Sequence, residues 1–194
     1  LAEHIAAGAK KVIISAPADN EVKTIVLGIN DNIISKDDLI LSNASCTTNC
    51  LAPMVKILQD NYGIQYGMMN TIHAYTQDQK LHDSIHPTDF RRARAAAQNI
   101  VPTTTNASKA LEWIMPEIKG KIIGGAVRVP VIAGSTTELY VQLEKQVSIN
   151  EINEVFQKAS NESFKGILQY TEDPIVSSDI IHNPYSCIFD AGLT

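Results

Sequence analysis

Ser42-Asn43-Ala44-Ser45-Cys46-Thr47-Thr48-Asn49-Cys50 is the stretch that divides this chain. It closes an apolar extended segment, Leu39-Ile40-Leu41, and opens a helix that the apolar spacing carries over 47–60. A thiol in the first turn of a helix faces backbone N–H groups that lack intrahelical acceptors, and it faces the positive end of the helix dipole. Both favour thiolate over thiol, so Cys46 stands where a cysteine becomes a nucleophile. Ser45, Thr47 and Thr48 surround it with hydroxyls that can cap the helix or hold an anion. The commonest role of a single cysteine is that of a small buried hydrophobe. The polar surround and the helix start favour the nucleophile.

On the N-terminal side, residues 1–9 read as a helix with Leu1, Ile5 and Ala9 on one stripe, ending near Gly8. Lys11 to Ser15 follows as a short apolar run of the kind buried in a parallel sheet. Ala16-Pro17-Ala18-Asp19-Asn20 breaks it, and Thr24 to Gly28 is a second strand candidate. Helix, tight turn and buried strand make half of a βαβ unit. Residues 1–45 therefore read as the tail of an open α/β sheet, too small to be a domain by itself. The chain starts with Leu1, not Met, inside a helical pattern, and is expected to be a piece of a longer protein.

On the C-terminal side the character changes to α+β. Strands are expected at Ile64 to Tyr75, Lys121 to Val131, Thr136 to Leu143, Gly166 to Tyr170 and Ser186 to Asp190. Helices are expected at Thr105 to Met115, stopped by Pro116, and from Ser148 to about Asn161, where Ser148 and Glu151 form a capping box. Thr76 to about Thr103 shows neither period, and a loop of that length in a compact domain is commonly functional. The fold expected is a Rossmann-type α/β remnant (1–45) followed by an α+β domain (46–194). That domain carries a mixed, mainly antiparallel sheet with helices on one face, and is incomplete at its C-terminus.

Composition limits the function classes. The 194 residues carry a net charge of −5 with 44% hydrophobic content. Basic residues are scattered apart from Arg91-Arg92-Ala93-Arg94, which argues against a nucleic-acid surface. No apolar run approaches the roughly 20 residues of a membrane span. Three cysteines, an odd number, argue against a disulfide framework and for a reducing, cytoplasmic setting. No His/Cys cluster has metal-ligand spacing.

A cysteine nucleophile works with a base, most often histidine. His73 ends a strand and precedes the long loop, the position from which side chains reach sites. His4 and His182 read as bystanders, and His82 and His86 lie in the loop. Cys50, four residues after Cys46, reads as a packed thiol open to oxidation. Arg91 and Arg128 fall outside any helical salt-bridge pattern, Thr76 and Asp78 follow His73, and Thr103-Thr104-Thr105-Asn106 opens a helix. Together these point to an anionic substrate.

Ala44-Ser-Cys-Thr-Thr-Asn-Cys50, His73-Ala-Tyr-Thr76, Arg91-Arg-Ala-Arg-Ala-Ala-Ala97, Ile100-Val-Pro-Thr-Thr-Thr105 and Arg128-Val-Pro-Val131 occur in that order. In this the chain resembles phosphorylating glyceraldehyde-3-phosphate dehydrogenase. The resemblance implies that Cys46 attacks the aldehyde, His73 acts as base, and NAD or NADP takes the hydride. Inorganic phosphate then releases 1,3-bisphosphoglycerate, a step of glycolysis or gluconeogenesis. It also implies that Thr76, Arg91 and Arg128 hold the substrate phosphate, while Ser45, Thr47, Thr105 and Asn106 hold the inorganic phosphate. The 76–103 loop would reach a neighbouring subunit's cofactor site in a homotetramer. Asn106 stands where the family usually has Gly, and Asn is the side chain that best tolerates φ > 0. The family's Gly-rich dinucleotide turn, G-x-G-x-x-G, does not occur in the sequence. The main cofactor-binding residues are therefore expected outside the chain, and the 194-residue piece alone is expected to be inactive. Erythrose-4-phosphate dehydrogenase, suggested by His86-Pro87, is the second choice within this chemistry. A cofactor-free Cys–His acyl-transferase or hydrolase is the alternative from another class, and a non-catalytic binding protein is a third.

Overall fold

The short apolar segments before Cys46 pair as a parallel sheet in the order β1-β3-β2, built from β1 (Val12–Ile14), β2 (Lys23–Thr24) and β3 (Ile40–Ser42). The computed structural model describes residues 1–19 and 21–194. The first helix, α1, is shorter than its apolar stripe suggests and spans Ala2–Ala6. Of the expected break at 16–20, Asn20 lies outside the described residues.

The strand expected at Thr24 to Gly28 stops at Thr24. Asn30 causes the stop: its side chain accepts from the Val26 N–H at 2.8 Å and donates to the Thr24 carbonyl at 3.0 Å. Gly28 supplies a positive φ of 78°, and Asp31 Oδ1 accepts from its N–H at 2.9 Å. Side chains that bond nearby backbone offer the chain a turn in place of a ladder.

From Cys46 on, the α+β expectation holds. Helix α2 (Cys46–Tyr62) leads into β4 (Ile64–Ala74) through Gly63 at φ 71°. After the long loop come β5 (Val101–Thr103), α3 (Ala107–Ile114), β6 (Ile122–Val129), β7 (Ser135–Leu143), α4 (Ile149–Asn161), β8 (Leu168–Thr171) and β9 (Cys187–Asp190). The main sheet runs β5-β6-β4-β7, with β6–β4 parallel and the other two pairings antiparallel. β5 lies at the end of a segment in which the sequence shows no strand period. It forms because Val101-Pro102-Thr103 pairs with Arg128 to Ala126 on β6. The capping box at Ser148 and Glu151 forms as its spacing predicts, with Oγ accepting from the Glu151 N–H at 3.3 Å.

Pleating sorts the sheet into two faces. Met69, Thr71, Ile122 and Ala126 are buried under α2 and α3. Helix α2 buries Leu51, Ala52, Val55 and Ile57 almost completely. The other face carries Tyr66, Met68, Ile123 and Tyr140 into solvent, with Ile123 69% exposed. Met68 is the cross-strand partner of both Ile123 and Tyr140, so three apolar side chains make one row.

Gly67 on β4 faces Val141 on β7 with no space for a side chain. A Cβ there would meet the Tyr140 carbonyl oxygen at 2.6 Å and Val141 Cγ1 at 2.8 Å. Gly67→Ala is expected to lower stability by about 1–3 kcal/mol, the usual range for forced overpacking. A lowered denaturant midpoint at unchanged slope is the readout.

Candidate active site

The end of β3 aims the chain at the site. Ser42 is buried and its Oγ donates to the Ala16 carbonyl at 2.7 Å while accepting from the Ala44 N–H at 3.2 Å. Ala44 then takes a left-handed conformation, φ 56°, and is buried. For a residue with a Cβ this costs on the order of 1–2 kcal/mol, and such strain concentrates at functional turns. The turn sets Ser45 as the cap of α2: its Oγ accepts from the Thr48 N–H at 3.0 Å. Cys46 is thereby the first helical residue, and it is exposed.

Across from it, at the end of β4, His73 presents Nε2 at 3.3 Å from Cys46 Sγ. That hydrogen bond is the main reason the Cys46 thiol titrates below the ordinary thiol range, with smaller help from the imidazolium charge and from Thr47. The same bond raises His73, more than burial lowers it. Both shifts favour thiolate facing imidazolium.

The far side of the ring has two partners. His73 Nδ1 lies 2.7 Å from the Ala74 carbonyl oxygen and 2.6 Å from Arg128 Nη1, which also donates to that carbonyl at 3.0 Å. A guanidinium only donates and a carbonyl only accepts, so the two contacts belong to different protonation states of Nδ1. In the imidazolium, Nδ1–H donates to Ala74; in the neutral ring protonated at Nε2, Nδ1 accepts from Arg128. Arg128 is the cross-strand partner of His73 in the β4–β6 pair, which fixes this proximity. Its Nε is buried and has no hydrogen-bond partner, and burial lowers its pKa.

The other residues singled out by sequence fall around this core. Thr47 is buried against the Cys46 sulfur. Thr76 is exposed, and its N–H donates to Gln79 Oε1 at 2.8 Å. Thr105 Oγ1 accepts from the Ala107 N–H at 3.1 Å. Asn106 is the exposed N-cap of α3 at φ −99°, not the positive φ for which Asn was expected to substitute for Gly. Arg91 is exposed. Its neighbour Arg92, which the sequence did not single out, turns inward. Arg92 Nε donates to Thr103 Oγ1 at 2.8 Å, Nη2 donates to Thr104 Oγ1 at 3.4 Å, and Nη1 pairs with Asp78. Both Arg92 and Asp78 lie close enough to act on Arg128 through their charges. No period in the loop distinguishes the two arginines, so only the folded loop shows which one faces the site.

Residues 45–194 match the family model described as glyceraldehyde 3-phosphate dehydrogenase, C-terminal domain. The chain belongs to the glyceraldehyde-3-phosphate dehydrogenase family. It is 59% identical over 191 residues to the glyceraldehyde-3-phosphate dehydrogenase of Mycobacterium leprae, covering 98% of this chain and 56% of that protein. The Mycobacterium tuberculosis enzyme of the same name gives the same identity and coverage, 59%, 98% and 56%. Glyceraldehyde-3-phosphate dehydrogenase 2 of Streptomyces avermitilis is 55% identical over 193 residues, with 99% of this chain and 57% of that protein covered. The chain thus spans about half the length of the curated relatives it matches.

The shifts at Cys46 and His73 set the pH window of this family member's thiol. A lowered thiol pKa keeps the thiolate present as pH falls below the ordinary value of about 8.5, and a raised histidine pKa keeps the imidazolium present as pH rises. Alkylation of Cys46 by iodoacetamide is therefore expected to stay fast below that ordinary value, between the two shifted titrations. In His73→Asn the inflection moves up toward an ordinary thiol. An unchanged pH–rate profile in that variant contradicts the pairing.

Proposed function

We propose that the protein to which this chain belongs oxidises glyceraldehyde 3-phosphate to 1,3-bisphosphoglycerate, with NAD or NADP and inorganic phosphate. The observation that carries this reading is the 3.3 Å contact between Cys46 Sγ, at an exposed helix start, and His73 Nε2. The Cys46 thiolate attacks the aldehyde carbon, a C–S bond forms, and His73 donates its Nε2 proton to the developing alkoxide. A bound nicotinamide supplies the hydride acceptor. As the carbonyl reforms, His73 takes the hydroxyl proton back and a thioester remains on Cys46. Attack by a phosphate oxygen breaks the C–S bond and frees the thiolate.

The residues present fit both anions and the cofactor. Arg128 Nε is a buried donor without a partner, as a phosphate site needs. We assign Thr76, Arg128 and the inward-turned Arg92, in place of the exposed Arg91 that the sequence singled out, to the substrate phosphate, and Ser45, Thr47, Thr105 and Asn106 to inorganic phosphate. Cys46 is exposed, so a flat acceptor can approach the carbon bound to it. It also follows the carboxyl end of β3 in a parallel sheet, the edge at which α/β sheets bind nucleotides. On this reading 1–45 belongs to the dinucleotide-binding domain and 46–194 to the catalytic domain. The apolar row Ile123–Met68–Tyr140 supports assembly with further copies into a homotetramer, and the enzyme would act in the cytoplasm. Among the described residues no helix is long and apolar enough to cross a membrane.

Two tests follow. In the full-length protein, Cys46→Ser is expected to abolish substrate-dependent NADH or NADPH formation, and retained turnover removes Cys46 as nucleophile. Faster turnover of erythrose 4-phosphate than of glyceraldehyde 3-phosphate would favour the second substrate. Ile123→Glu is expected to yield smaller species in sedimentation while the fold persists.

A further inference from the structure

Cys50 has a partner outside its own helix. Its Sγ lies 3.8 Å from Sγ of Cys187, 137 residues away on β9. The two are the free thiols that the Cys46 chemistry leaves unused. Cys187 is 2% exposed and held among Leu51, Phe156 and Leu168 in the core cluster, whereas Cys50 is only half-buried. Cys50 also packs beside Thr137, whose Oγ1 is buried without a geometric hydrogen-bond partner. Thr137 is the cross-strand partner of Thr71, 2% exposed and likewise unpartnered. The layer under Cys50 is therefore polar and short of hydrogen-bond partners.

We propose that Cys50 and Cys187 form an oxidation site separate from Cys46, which closes to a disulfide joining α2 to β9. The oxidant is a hydroperoxide. Cys50, the more accessible thiol, attacks the O–O bond as thiolate, giving a sulfenic acid and, with hydrogen peroxide, water. Cys187 then gives up its proton, its sulfur attacks the Cys50 sulfur, the S–O bond breaks, and a second water leaves. Two thiols lose two electrons and two protons, and the peroxide takes both. The hydrogen bond with Cys50, and after it burial, raise the Cys187 thiol pKa well above its usual value, so its attack is the slow step. Sulfurs already 3.8 Å apart need only side-chain rotation and a small shift of α2 or β9 to approach bonding distance. Cys46 is held by His73, and its partner is the imidazole, not Cys50.

The test is non-reducing peptide mapping by mass spectrometry of the full-length protein after treatment with hydrogen peroxide. The expected product is one cross-linked peptide pair joining Cys50 to Cys187, lighter than the two thiol peptides by two hydrogens. It is also expected in the Cys46→Ser background, where activity plays no part. Cys187→Ser is expected to lose the cross-link, retain basal turnover, and carry over-oxidised Cys50 instead. The bridged protein is expected to unfold at a higher temperature than the reduced form, because the bond closes a long loop. A product joining Cys46 to Cys50 alone, or Cys187 still fully alkylatable after Cys50 is oxidised, overturns the proposal. Because the readout is mass, failure here is distinguishable from failure of the dehydrogenase reading.

Discussion

Cys46 meets His73 only because the start of α2 lies over the end of β4. Four helical residues rise about 6 Å and two strand residues about 6.6 Å, so an i, i+4 series on the helix keeps step with every second residue of the strand beneath. Cys46 faces His73, and one turn later Cys50 faces Thr137, the cross-strand partner of Thr71. The register is held by burial well away from the chemistry. Leu51 and Met69 are fully buried, and each CH₂ so removed from water contributes about 0.8 kcal/mol. A one-residue slip of β4 would send His73 to the solvent face and Ile72 to the helix. Core packing and the geometry of the Cys46–His73 pair are thus the same constraint at two points along one contact.

Around that contact the charges are mostly positive. The N-terminal end of α2, Arg128 beside His73, and Arg92 behind it surround the exposed thiol, and the nearby carboxylate, Asp78, is paired to Arg92 and His86. In a chain of net charge −5 this is a local reversal of sign. Its consequence for His73 is specific. Arg128 lowers the histidine's affinity for a proton by repulsion while the Cys46 thiolate raises it. An anion drawn to Arg128 would weaken the repulsion and leave the thiolate's influence, raising the proton affinity of His73.

What could be read from the sequence was local. Cys46 at a helix start, the Ser148 capping box and the passage from a short parallel sheet to a mixed one are each set by a few neighbouring residues, and the structure follows them. What could not be read depends on contacts between distant segments. β5 pairs with β6 more than 20 positions on, and Thr24 to Gly28 loses its strand to one asparagine side chain. Arg91 and Arg92 are indistinguishable by type, and the turn of the loop alone decides which points inward. Cys187 lies 137 residues from Cys50 and has no motif around it.

Asn106 shows how a departure from a family pattern is settled by geometry. A glycine is needed where φ is positive or where a Cβ would collide. At φ −99° and ψ 8° Asn106 is in neither condition, since any residue adopts that backbone and the side chain is exposed. The substitution therefore costs no backbone strain. Its amide makes no capping bond to α3, so its donors remain available beside Thr105 at the helix start. A glycine would offer only its backbone N–H at that point. The replacement keeps the turn and adds an exposed side-chain donor at the start of α3.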